Sequence, residues 1–276
     1  MTVNNISIIL KVTDYCNFKC SFCRYTMQSN KNPQKMDFEM AKECIFKAAM
    51  HNINQGENYL HIIFHGGEPL LWGIDNFINI FSFEDEFSLN YPDFKFYNSI
   101  QTNASKLDYV FAKLFQKYNV SIGISIDGPE DINFHKSPID ITTKIAMLNE
   151  MNSNYGILSV ITNSHKGKAK DYYEFIKANK IKSLGLCYCF DPIGESSINN
   201  DILSNFLMEL FDLYFYGSYK FRIREFDCVI HRCLGRETHN CNFQCRKNCG
   251  NYFSIFPNGE GELWNQAMNF LSEIFV

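Results

Sequence analysis

Several features are missing from this 276-residue chain. No Lys/Arg tract stands out. The 26 basic and 30 acidic side chains leave a net charge of −4, which argues against a protein that grips a nucleic-acid backbone. The opening MTVNNISIILKVTDYC has neither a basic n-region nor a cleavable apolar run, so nothing marks the chain for export. No uncharged apolar stretch is long enough to span a bilayer. The expected location is therefore the cytoplasm, with neither nucleic acid nor membrane as a partner. There is no low-complexity linker and no internal repeat beyond a β–α unit. No Ser/His/Asp catalytic set is legible, and the seven histidines are scattered.

What is present reads as globular. Hydrophobic residues make up 46% and charged residues 20%, enough for a sizeable core without disulfide staples. The length suits two units, or one large α/β unit with an appendage. Cysteine is the outlier: 11 residues, an odd count. Without an export signal, metal or redox chemistry is a better reading than a disulfide framework. Cys16, Cys20 and Cys23 sit near the start. Cys228, Cys233, Cys241, Cys245 and Cys249 sit near the end.

Strand-like runs alternate with helix-period segments. Strands are expected at Ser7–Val12, Leu60–His65, Phe94–Ile100, Val120–Ile126, Ile157–Thr162 and Lys182–Cys189. Helices are expected at Asp37–Gln55, after a cap at Asp75, after a capping box Ser105-x-x-Asp108, and at Asp140–Met151, Lys168–Asn179 and Asp201–Phe215. Six β-then-α units imply a parallel sheet with right-handed crossovers. The continuous apolar strands suggest burial on both faces. The order fits either an open doubly wound sheet or a partial barrel. After about residue 220 the pattern stops, and 221–276 reads as a small Cys-rich module.

Cys16-x3-Cys20-x2-Cys23 directly follows strand one. In parallel α/β folds such loops lie at the C-terminal end of the sheet, where active sites are built. A structural zinc would want a fourth ligand at similar spacing, and no Cys or His lies between Cys23 and Cys44. Three thiolates on an iron–sulfur cluster would leave one iron open to an outside ligand. A zinc knuckle completed from afar and inert buried thiols are the other readings of the same spacing.

This loop, with aromatic Phe22 before its last Cys, resembles the signature of the radical S-adenosylmethionine (SAM) superfamily. Further motifs follow in order. His65-Gly66-Gly67-Glu68-Pro69 comes after strand two, Gln101-Thr102-Asn103 after strand three, and Ser125-Ile126-Asp127-Gly128-Pro129 at the end of strand four. Together they resemble the subgroup containing anaerobic sulfatase-maturating enzymes and ribosomal-peptide maturases. The resemblance implies a partial (β/α)6 barrel over residues 1–220. It implies a [4Fe–4S] cluster on Cys16, Cys20 and Cys23, whose open iron takes the amino and carboxylate groups of S-adenosylmethionine. Reductive cleavage then yields a 5′-deoxyadenosyl radical that abstracts hydrogen from the substrate. The cofactor-binding roles implied are close backbone approach at Gly66 and Gly67, a carboxylate for the ammonium group from Glu68, an adenine face from Phe22, and hydrogen bonds from Asn103, Ser125 and Asp127. Relatives usually carry an arginine after the last motif. Here 133–138 reads NFHKSP, and only Lys136 offers a charge.

Cys241-x3-Cys245-x3-Cys249, with the following Phe253–Phe256 strand and Pro257-Asn258-Gly259 turn, resembles the start of that subgroup's auxiliary-cluster (SPASM/twitch-like) module. The later cysteines of that module are absent. Three readings stand: one auxiliary cluster, which is favoured, a zinc site, or a truncated chain with orphan thiols. By resemblance the first expectation is a peptide maturase forming thioether or carbon–carbon crosslinks. The second is a formylglycine-generating sulfatase maturase, and a third an inactive metal-binding partner that presents a peptide. Expected partners are a peptide or protein substrate, a separate leader-recognition protein and a reductant such as flavodoxin or ferredoxin. Tyr25 and Tyr188 are read as packing residues before proton or electron donors.

Overall fold

The structure is a computed structural model that describes residues 5–23, 32–130, 132, 141–189, 197–236 and 251–263. Six β–α units follow one another: β1 (Ser7–Thr13) and α1 (Phe38–Asn54), β2 (Tyr59–Gly66) and α2 (Ile74–Asn90), β3 (Lys95–Thr102) and α3 (Tyr109–Lys117), β4 (Ser121–Ser125) and α4 (Ile141–Glu150), β5 (Tyr155–Ile161) and α5 (Ala169–Ala178), β6 (Ser183–Tyr188) and α6 (Asn200–Tyr216). Then come β7 (Arg222–Ile223), α7 (Arg224–Cys233), β8 (Tyr252–Ile255) and β9 (Gly261–Leu263). The sheet order is β7-β6-β5-β4-β3-β2-β1-β8-β9, parallel except for β9. Because β1 and β6 are not neighbours, the six-stranded core is unclosed, which gives the partial barrel. The sheet does not stop at residue 220: β7 extends one edge and β8–β9 the other.

The helix ends follow local chemistry. Asp37 caps α1, its carboxylate accepting from Met40 N. Two expected caps are displaced. Asp108, not Ser105, caps α3, accepting from Val110 and Phe111 N, because Ser105 is engaged with Asn17. Gly73, at φ 100°, opens α2, and Asp75 lies inside its first turn, where its charge still suits the helix dipole.

One face of the sheet carries Ile8, Leu10, Ile62, Phe64, Ile100, Ile122, Ile124 and Leu186 into a core shared with the helices. The expectation of burial on both faces holds for β1 and β6 and fails for the strands between them. β2 alternates buried and half-buried residues, and β3 and β4 do so over most of their length. The half-buried set includes His61, His65, Ser99, Gln101 and Ser125. A strand in an unclosed barrel packs its outer face on helices, whereas its inner face lines a space. The apolar runs hid this because serine, glutamine and histidine fall every second residue among isoleucines.

The abundant phenylalanines build one knot in this core. Phe77 is fully buried, with ring centroids 5.2 Å from Phe64, 5.3 Å from Trp72, 5.6 Å from Phe115 and 6.1 Å from Phe111. Phe77→Ala is expected to cost about 3–5 kcal/mol of stability, measurable by denaturant unfolding.

A second core feature titrates. Asn98 Nδ2 donates to Glu84 Oε2 at 2.7 Å, and both residues are buried. Glu84 Oε1 and Asn98 Oδ1 are buried without a hydrogen-bond partner. A proton on Glu84 lets the acid donate to the amide oxygen and satisfies both. Burial pushes the Glu84 carboxyl up to about 8, against a smaller opposing effect of the Asn98 bond. The folded state thus holds this proton more tightly than the unfolded chain. Its contribution is complete below the usual carboxylate range and is lost as pH rises through about 8. Unfolding curves are expected to show stability falling over that window, and Glu84→Gln is expected to flatten the dependence.

Candidate functional site

The C-terminal ends of β1 and β2 meet in register, Lys11 beside His65 and Thr13 beside Gly66. The Cys16–Cys23 loop leaves β1 there and is stitched to the glycine turn that leaves β2. Gly67 N donates to Thr13 O at 2.7 Å, and Glu68 N donates to Tyr15 O at 2.8 Å. Neither glycine can be replaced in place. Gly66 has φ 127°, and a Cβ there would lie 2.1 Å from Thr13 O. A Cβ on Gly67 would lie 2.2 Å from Tyr15 O and 2.9 Å from Cys16 N. The backbone these glycines admit is that of the cysteine loop itself.

The loop after β3 supports the other side. Asn103 Nδ2 donates to Asn17 Oδ1 at 3.2 Å and reaches Cys16 Sγ at 3.7 Å. Phe18 N donates to the same sulfur at 3.4 Å, and Ser105 Oγ meets Asn17 at 3.0 Å. Glu68 joins the two loops. It is 1% exposed. Its Oε1 accepts from Leu70 N (3.0 Å) and Thr102 Oγ1 (2.6 Å), and its Oε2 accepts from Asn103 N (2.7 Å). Burial raises the Glu68 pKa, and these three bonds oppose the rise. Thr102 was not singled out in the sequence, although it stands inside the quoted Gln101-Thr102-Asn103.

The β4 end is held separately. Asp127 is 1% exposed, and its Oδ1 accepts from Val160 N on β5 at 3.0 Å. Its carbonyl meets His165 Nε2 at 2.9 Å. Tyr172 donates to Ser159 Oγ, which donates to Ile126 O, both at 2.5 Å. Ser125 faces inward and accepts from Gln101 Nε2 at 2.7 Å. Phe22 stands half-buried beside Cys23. Glu68 thus spends most of its acceptor capacity on the chain itself, whereas Asp127 Oδ2 is buried with no hydrogen-bond partner among the described residues. Ser125 and Phe22 remain partly open.

Burial pushes the Cys16 thiol up to about 11 and raises Cys20 as well, and Cys16 adds to the Cys20 shift. Cys23 adds to both, so all three sulfurs lie within electrostatic reach of one another. At neutral pH Cys16 and Cys20 keep their protons until a metal displaces them. Among the described residues, no three His, Cys, Asp or Glu side chains close round a single metal ion. Three thiols within reach of one another are the donor type that an iron–sulfur cluster takes. Cys241, Cys245 and Cys249 lie outside the described residues, as do Tyr25 and Lys136. Tyr188 closes β6 and packs against the core, which raises its phenol pKa by burial.

Residues 10–180 match the radical SAM superfamily. The chain belongs to that superfamily, and its cofactors are a [4Fe–4S] cluster and S-adenosylmethionine. Within the superfamily it is similar to a cysteine-type anaerobic sulfatase-maturating enzyme of Clostridium novyi (strain NT), 30% identical over 262 residues, 87% of this chain and 68% of the relative. A radical SAM cyclopropyl synthase of Paramaledivibacter caminithermalis is 27% identical over 231 residues, 76% of this chain and 46% of its own length. Among solved structures, native anSMEcpe with bound AdoMet superposes with a TM-score of 0.81 at 25% identity, covering 94% of this chain and 74% of that one. Among the described residues no helix is long and apolar enough to cross a membrane.

Proposed function

We propose that this enzyme takes a hydrogen atom from a side chain of a ribosomally made peptide or protein held in the open barrel. The first outcome we assign is a thioether or carbon–carbon crosslink. Formylglycine formation is the second reading, favoured by the sulfatase-maturating relatives. The observation that carries the proposal is a cysteine loop locked at the mouth of an unclosed barrel whose inner wall is polar and only half-buried.

In this reading Cys16, Cys20 and Cys23 hold the cluster. When bound, cluster and S-adenosylmethionine together supply a carbon radical able to remove hydrogen from an unactivated C–H bond. The chain's own residues position and exclude. Gly66 and Gly67 fix the loop beside the site. Glu68 and Asn103 hold its two neighbouring turns in one register. Ser125, with Gln101 behind it, and Phe22 present a hydroxyl and a flat ring to the cofactor, while Asp127 fixes the turn beneath them. Cys241, Cys245 and Cys249 are proposed to hold one auxiliary cluster. A reductant such as flavodoxin or ferredoxin and a separate leader-recognition protein complete the expected partners.

The test is mass spectrometry of peptides incubated anaerobically with reconstituted protein, S-adenosylmethionine and a reductant. A cysteine-bearing peptide that loses two hydrogens and keeps its sulfur has been crosslinked. One that exchanges sulfur for oxygen and also loses two hydrogens has become formylglycine. 5′-Deoxyadenosine formation with every peptide unchanged contradicts both readings.

A further inference from the structure

The cysteine loop has an outer side. Tyr15 is 46% exposed, and Asn17, Lys19 and Ser21 are exposed as well, whereas Phe18 and Cys20 are buried. A protein resting against the exposed side is separated from the thiols by the thickness of one loop.

Positive charge flanks this side from both directions. Residues 34–36 run beside the end of β1, where Thr13 and Lys35 form an antiparallel bridge and Asp14 N donates to Gln34 O at 3.2 Å. Across the loop, Asn17 Nδ2 donates to Ser105 Oγ at 3.0 Å, which brings Lys106 next to it. Lys19, Lys35 and Lys106 are all exposed. Lys144 of α4 joins the Lys106 side, its Nζ donating to Leu107 O at 2.7 Å, and Lys35 Nζ donates to Leu71 O at 2.5 Å. Both bonds go to neutral carbonyls, so each ammonium keeps its full charge. The acids on these segments are Asp14, Asp37 and Asp108. Asp37 and Asp108 cap α1 and α3, where the positive end of the helix dipole offsets their charge. Asp14 Oδ1 accepts from Gln34 N at 2.5 Å. The rim is thus net positive on a chain whose overall charge is −4.

We infer that this rim is the docking surface for a small acidic electron-carrier protein of the flavodoxin type. This rests on the cluster and reductant readings above. The carrier is oxidised by one electron and the cluster is reduced by one. Opposite charge steers the encounter and fixes orientation, and it acts through the field without requiring any single donor. Tyr15 gives the patch an aromatic centre within a charged border, the usual arrangement of a protein contact.

The test titrates cluster-reconstituted full chain with oxidised flavodoxin, which binds without passing an electron, and reads the Kd calorimetrically. Wild-type binding is expected to weaken as salt is raised. Lys35→Glu/Lys106→Glu, both outside the cysteine loop, is expected to raise the Kd about tenfold. Lys117→Glu/Lys177→Glu makes the same change in net charge in the last turns of α3 and α5, at the opposite end of the barrel, and is expected to leave the Kd unchanged. With dithionite, a small reductant that needs no docking surface, all three proteins are expected to form 5′-deoxyadenosine at one rate. With reduced flavodoxin the Lys35/Lys106 variant is expected to be slower. Equal weakening by the two double variants would assign the effect to net charge and overturn the inference. Absence of flavodoxin binding, or binding insensitive to salt and to Lys35/Lys106, overturns it while dithionite-driven cleavage leaves the radical reading intact. No 5′-deoxyadenosine with dithionite contradicts the radical reading and the inference with it.

Discussion

Gly67→Ala is expected to abolish cluster binding without unfolding the barrel. The added methyl carbon would sit 2.2 Å from Tyr15 O and 2.9 Å from Cys16 N, and both neighbours are backbone. No rotamer can relieve such a contact, so the loop carrying Cys16 must move away. That movement breaks the bond from Glu68 N to Tyr15 O and carries Cys16 away from Asn103. The barrel strands β1 and β2 pair below this point and lose nothing. Purified anaerobically, the variant is expected to show wild-type circular dichroism and to lack the iron of the first cluster. Full iron content would show that the loop is not held by the turn.

Glu68→Ala should combine a stability loss with a site defect. It strips the acceptor from Leu70 N, Thr102 Oγ1 and Asn103 N in a place water does not reach. Each donor that stays unsatisfied costs roughly 1–3 kcal/mol. Glu68→Gln keeps one carbonyl oxygen for two of these donors and sets an amide N–H against the third. A smaller loss is expected for it. Denaturant midpoints of the three proteins should rank wild type above Gln above Ala. Equal midpoints would mean that the carboxylate contributes little to joining the loops. An Ala variant with normal stability but weakened S-adenosylmethionine binding would show that Glu68 meets the cofactor directly.

The β–α order was legible because each strand carries a run of apolar residues and each helix a spaced apolar face. The helix at Asp37–Gln55 was legible too, although Asp37 and Gln55 prove to be its caps and not its end residues. Position on the inner face was harder to read. Gln101, Ser125 and His65 alternate with isoleucine and phenylalanine, and a continuous apolar average conceals a polar wall. The cysteine loop and the glycine turn could be named from spacing. The reason for the glycines could not, because the atoms they avoid belong to Thr13, Tyr15 and Cys16, about fifty residues earlier in the chain. Glu68 and Asp127 were read toward a ligand. The structure shows each first as a tie between strand ends, a role that depends on partners 35 and 33 residues away.

The central claim is that Cys16, Cys20 and Cys23 together hold an iron–sulfur cluster. Iron and acid-labile sulfide, counted per chain in anaerobically reconstituted wild type and in the Cys16→Ala/Cys20→Ala/Cys23→Ala variant, test it directly. The variant is expected to contain about four iron and four sulfide fewer than wild type. Equal counts in the two proteins, or zinc in place of iron in wild type, would contradict the account.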